Sequence, residues 1–259
     1  MTAASIEPER TSVRAGTRSF FYVRVAALAV FIAFAGFAPS FWIPLATNRL
    51  KANPIVFIHG FAMTGWTIFL LVQAWMVASG NVRRHRALGM AGIALATAIC
   101  IFGPLMVLNS IHIASLALRE RALRFSAVSL MAIVIFAGVV TAAFANTHRP
   151  ETHKRLLFVA TFGALSAAIG RWFNLLRAPH GAIGPPPVEV TLMPASVVDL
   201  ILLGLMVHDW RTRGRVEPAY LIAVPILIAQ QVLTVPLSRT DAWLWFATWF
   251  ANLPGVTQS

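Results

Sequence analysis

The chain has 259 residues, 58% of them hydrophobic and only 12% charged, against roughly 25% charged in an ordinary soluble domain. With a mean hydropathy of +0.73, that composition excludes a water-soluble globular protein. The net charge of +12 would suit nucleic acid, whose phosphates exchange counterions for Lys and Arg, but the basic residues lie in short clusters between apolar blocks without a basic-aromatic module. They read as topology signals, with the lipid bilayer as partner and no nucleic acid.

Residues 1–19 are polar, Arg-rich and without apolar periodicity, and are expected to form a cytoplasmic basic tail. Seven apolar segments follow, at about 20–38, 55–79, 88–111, 125–146, 156–176, 191–210 and 219–237. At ~1.5 Å per residue each matches, or nearly matches, a hydrocarbon core of ~30 Å. The expected fold is therefore all-α: a polytopic transmembrane helix bundle of about seven spans over residues 20–237. The first span is too long for the apolar core of a cleaved signal peptide and reads as a retained anchor. The sixth contains Asp199 and ends at His208 and Asp209, which leaves a six-span reading open.

Gly184-Pro185-Pro186-Pro187 favours an extended connection, and Pro104 and Pro225 should kink their helices. The last part, 238–259, is too short and too aromatic for an eighth span and suits an external interfacial segment. Thirteen of the 21 Lys and Arg residues fall on the side of the N-terminus, among them Arg83, Arg84, Arg86, Arg211, Arg213 and Arg215. That bias predicts a cytoplasmic N-terminus and an external C-terminus.

Ionisable and amide side chains inside apolar blocks are the most informative positions, since insertion of a charge costs ~2.5 to 3.5 kcal/mol. His59, Trp66 and Gln73 recur at intervals of seven, which places them on one stripe of the second span, facing the bundle. Asn109 and His112 share a face at the external end of the third span. Arg171 and Asn174 do so near the external end of the fifth, and an ion pair from Arg171 to Asp199 is the natural expectation. The plain alternative is that these residues join helices by hydrogen bonds.

On the cytoplasmic side His85, His148, His153 and His208 lie close to helix ends. His85 and His153 each open an outgoing helix in a His, basic, any residue, Leu pattern, 68 residues apart, and His112 and His180 share that offset. The second and third spans then read as a duplicate of the fourth and fifth, or the two basic segments simply anchor the helices at the membrane surface. His148 and His153 are five apart with Pro150 between them, which fits no zinc pattern. The single Cys100 rules out an intramolecular disulfide, and no nucleophile elbow, Walker loop or dinucleotide fingerprint occurs. No metal is expected beyond the iron of a haem, and no catalytic residue is assigned.

The stretch from His59 through Trp66 and Gln73 to Gly80, His85-Arg86 and Gly89 resembles a family of uncharacterised bacterial multi-pass membrane proteins that carry a domain of unknown function. The segment Thr147-His148-Arg149-Pro150 to His153-Lys154-Arg155-Leu156 is similar to that family's His-containing loop and following helix. The resemblance spans the first five helices and implies a bacterial inner membrane, without an assigned reaction. Histidines near both ends of a bundle also resemble, distantly, the two-haem membrane b-type cytochromes, a likeness that specifies no ligand pairs.

Three functions are compatible with this pattern. In a haem-b-binding electron-transfer protein, His59 and His112 would be the external ligand candidates with Arg171 as propionate partner, and His85, His153 and His208 the internal ones. In a proton-coupled small-molecule transporter, Asp199, Arg171, His59 and the prolines would carry the mechanism. In a non-catalytic membrane assembly subunit, the polar cluster of Asp199, Asn109, Asn174 and Gln73 would only hold helices together.

Overall fold

The computed structural model describes residues 20–177 and 184–253, with the side chains of 176 and 177 left aside. The expected tail at 1–19, the repeat partner His180 and the last six residues lie outside the described residues. Proline and glycine punctuate the helices as their geometry requires. Pro54, Pro150 and Pro218 open α3 (Pro54–Ala78), α6 (Pro150–Arg177) and α8 (Pro218–Arg239), at positions where a missing N–H costs nothing. Gly214, at φ +70°, ends α7 (Leu192–Arg213) in the left-handed conformation that glycine adopts without strain.

The remaining elements are α1 (Phe21–Phe37), α4 (Val82–His112), α5 (Leu116–Ala145) and α9 (Asp241–Ala251). Between α1 and α3, a π-helical turn at Ala38–Trp42 holds Pro39, and the four-residue α2 (Ile43–Ala46) extends it. Val188–Thr191 forms a 3-10 turn ahead of α7. The helix runs on through Pro104 in α4, and through both Pro225 and Pro236 in α8.

Seven segments are long and apolar enough to cross a membrane, from Phe21–Ala46 to Pro218–Arg239. The third and fourth begin six and nine residues earlier than hydropathy suggested, because the basic runs Arg83 to Arg86 and Arg119 to Arg124 are helical. The sixth segment is also long and apolar enough to cross, despite Asp199. Below, the N-side is the end of the bundle where α1 begins, and the C-side the opposite end.

Five helices close a ring: α1 packs on α3 and α6, α3 on α4, α4 on α5, and α5 on α6. Outside it, α7 lies on α6 and α8, while α8 also contacts α5 and α6. The short α9, N-capped by Thr240, covers α4, α5 and α8 at the C-side. Lipid removes the hydrophobic drive between helices, so close packing through small residues must replace it. Ala26, Ala29 and Ala33 of α1 are buried, and a Cβ on Gly36 would sit 2.5 Å from the Ala168 carbonyl oxygen of α6. Large apolar side chains such as Phe31, Met90, Ile101, Leu200 and Leu233 point outward, as a lipid-facing surface requires.

Candidate functional site at the N-side of the helix ring

Trp66 sets the register of the ring's interior. Its indole N–H donates to Thr161 Oγ1 at 3.0 Å, and its ring meets Phe136 edge-on at 5.2 Å between centroids. Helices α3 and α6 run in opposite directions. Moving from Trp66 to Gln73 therefore covers the same ~10 to 12 Å toward the N-side as moving back from Thr161 to His153. Gln73 and His153 thus stand at one level, above a floor of Trp66, Thr161 and Phe136.

His85, four residues into α4, completes the group. Its ring centroid is 6.5 Å from that of His153, with the planes at 80°. The ring also lies against the Gln73 carbonyl. Phe144 of α5 flanks His153 at 6.2 Å. His153 Nδ1 is 2.8 Å from the Ala143 carbonyl, which only accepts, so Nδ1 donates and, in the neutral ring, Nε2 is the nitrogen with a lone pair.

Three buried polar atoms here have no hydrogen-bond partner among the described residues: Nδ1 of His85, and Oε1 and Nε2 of Gln73. Gln73 is only 7% exposed. Each such atom costs ~1 to 3 kcal/mol if left dry, so the group is chemically incomplete without a further polar partner. Four arginines stand exposed at the rim: Arg83, Arg84 and Arg86 beside His85, and Arg149 ahead of His153. None takes part in an ion pair with a described residue.

On the opposite face of α6 lies a charged network that sequence reasoning missed. Arg155 and Asp209, each 1% exposed, pair through two parallel N–H···O bonds of 2.5 Å. Arg155 Nη1 also donates to the carbonyl and carboxylate of Glu151, and Arg213 bridges Glu151 to Glu217 at 3.1 Å each. Lys154 pairs with Glu151 and sits over the Tyr22 ring, while the Tyr22 hydroxyl donates to Asp209. Three cations balance three anions, and the network ties α1, α6, α7 and α8 together. Its signal was present in the i, i+4 spacings Glu151 to Arg155 and Asp209 to Arg213 at span ends on one side.

Of the other anticipated residues, Arg171 lies within electrostatic reach of His59, and the rest are dispersed. His208 does not join His85 and His153; it stacks on Phe21 at 3.5 Å between centroids. His59 and His112 have separate surroundings: His59 Nδ1 is buried without a hydrogen-bond partner among the described residues, whereas His112 Nε2 contacts the Ala251 carbonyl of α9 at 2.9 Å. Asn109 accepts from Asn53 at 2.5 Å, joining α4 to the start of α3.

The expected pair of Arg171 and Asp199 does not form. Arg171 faces α1, donating to Ser40 Oγ at 2.9 Å and to the Ala167 carbonyl, with its guanidinium 4.0 Å from the Phe37 centroid. Asp199 instead accepts from Gln231 Nε2 of α8 at 3.2 Å. Arg171 lies toward the C-side and Asp199 near mid-span, on helix faces that point apart. Asn174 is half-buried one turn beyond Arg171.

Seven apolar spanning helices make the chain a multi-pass membrane protein. No family model matches the chain, and neither the curated proteins nor the solved structures contain a match.

Proposed function

We propose that this is a membrane electron-transfer protein that holds one b-type haem between His85 and His153 at the N-side of the ring, and that this side, the richer in arginine, is the cytoplasmic one. The observation that carries the reading is the closeness of the two imidazoles, edge to face across the end of the ring. With 6.5 Å between their centres, the two rings stand close enough that both His85 and His153 would hold one ion bound between them. The orphaned Nδ1 of His85 and the amide of Gln73 point the same way.

The roles of the side chains follow from their contacts. The Ala143 carbonyl fixes the tautomer and orientation of His153, as a second-shell acceptor does for ligating histidines. Gln73 supplies a buried amide beside the rings, and Arg83, Arg84, Arg86 and Arg149 offer cations for the carboxylates of a bound group at the membrane surface. The Arg155 and Asp209 pair, two residues along α6, holds the helix that carries His153. When bound, haem supplies reversible one-electron transfer; the chain supplies position and charge.

A pyridine haemochrome assay on protein made in haem-replete cells and purified in mild detergent tests this reading, with one haem b per chain expected. Protein that is monodisperse, contains no haem and takes up none from added hemin would refute it.

A further inference from the structure

We propose that Asp199, with Gln231 and the cavity that Gln231 lines, forms a proton-binding site within the membrane, independent of the histidine pair. Asp199 lies eleven residues into the segment Val188–Arg213, which at ~1.5 to 2.0 Å per residue puts it ~15 to 20 Å from the C-side end, near the middle of a ~30 Å core. Ionisable groups at that depth mark ion or proton pathways when no opposite charge explains them. Among the described residues, none does.

Among the described side chains, the charged groups on the elements packed against α7 are already engaged elsewhere. On α6, Arg171 is turned to α1, and Glu151, Lys154 and Arg155 belong to the N-side network with Arg213 and Asp209 of α7 itself. On α8, Glu217 joins that network and Arg239 pairs with Glu189 of the 3-10 turn. Tyr220, at the start of α8, is buried beside Arg155. What meets the Asp199 carboxyl is an amide: Gln231 Nε2 donates to Oδ1.

Gln231 also lines a cavity of about 40 Å³ between α5, α6 and α8, together with Gln230, Thr234, Ser166 and Thr191. That volume exceeds the ~10 to 15 Å³ one water requires, and the lining offers several polar partners. Gln230 Nε2 donates to Thr234 Oγ1 at 3.0 Å, which in turn donates to the Gln230 carbonyl at 2.7 Å. A carboxyl group without a cation in this setting holds a proton. One oxygen accepts from Gln231 in either protonation state, and Gln231 in turn lines the cavity that can hold water next to this pair.

Dicyclohexylcarbodiimide, which modifies protonated carboxyl groups in apolar surroundings, tests the proposal on full-length protein in native membranes, with the adduct located by peptide mass spectrometry. The expected result is an adduct on Asp199 that falls about tenfold per pH unit above its midpoint, is unaffected by sodium, and is absent from a folded Asp199→Asn variant. No adduct on Asp199 at any pH at which the protein stays folded would overturn it. So would protection by sodium at constant pH, which would make the site one for a metal cation.

Discussion

Trp66 and Thr161 are joined by a 3.0 Å hydrogen bond across the interior of the helix ring, and this contact holds α3 and α6 in the register that brings Gln73 level with His153. Trp66→Phe keeps an aromatic ring but leaves the Thr161 hydroxyl, which also donates to the Leu157 carbonyl, without its incoming N–H. A loss of about 1 kcal/mol is expected, read as a lower unfolding midpoint in detergent. Thr161→Val should cost a similar amount, and the double variant less than the sum, because both remove one bond.

The Arg155 and Asp209 pair predicts an asymmetric mutational pattern. Asp209→Asn or Arg155→Leu leaves a buried charge short of its partner, and should destabilise by about 3 to 5 kcal/mol. Replacing both by Met and Leu should recover most of that loss, since two apolar side chains leave no charge to desolvate. Arg213, 26% exposed, has less to lose, and Arg213→Ala should cost about 1 kcal/mol or less. Thermal unfolding of the four variants in one detergent checks the order.

Close approach of α1 to α6 depends on Gly36. Its added Cβ would meet the Ala168 backbone at 2.5 Å, where no side chain can swing away. Gly36→Ala is therefore expected to cost about 1 to 3 kcal/mol. Gly89 of α4 meets nothing within 4 Å, so Gly89→Ala should be neutral or stabilise by up to about 1 kcal/mol through helix propensity. The difference in unfolding midpoint between these two variants separates a packing requirement from a general effect of removing glycine.

The spans were legible in the sequence because each apolar block announces its own solvent. Depth was legible too: His85 and His153 were placed at one end by their positions in the helices that carry them, and the structure brings their rings together. Azimuth was not. Arg171 was placed toward the C-side end and Asp199 too close to it, and spacing along a helix says nothing about which neighbour a face meets: the order of helices turns Arg171 to α1 and Asp199 to α8. His112 shows the same limit: its partner is the backbone of α9, 139 residues away, and a carbonyl leaves no mark in side-chain patterning. Arg155 looked like an anchor among basic neighbours because burial of a charge depends on a partner from a distant helix.

The most direct test of the account is the reduced-minus-oxidised absorption spectrum of the haem-replete protein, set beside those of four histidine variants. The wild type should show a Soret shift and an α band of low-spin haem b. His85→Ala and His153→Ala should each abolish the low-spin signature, whereas His59→Ala and His208→Ala should keep it. A spectrum lost in His59→Ala but unchanged in both His85→Ala and His153→Ala would contradict the assignment.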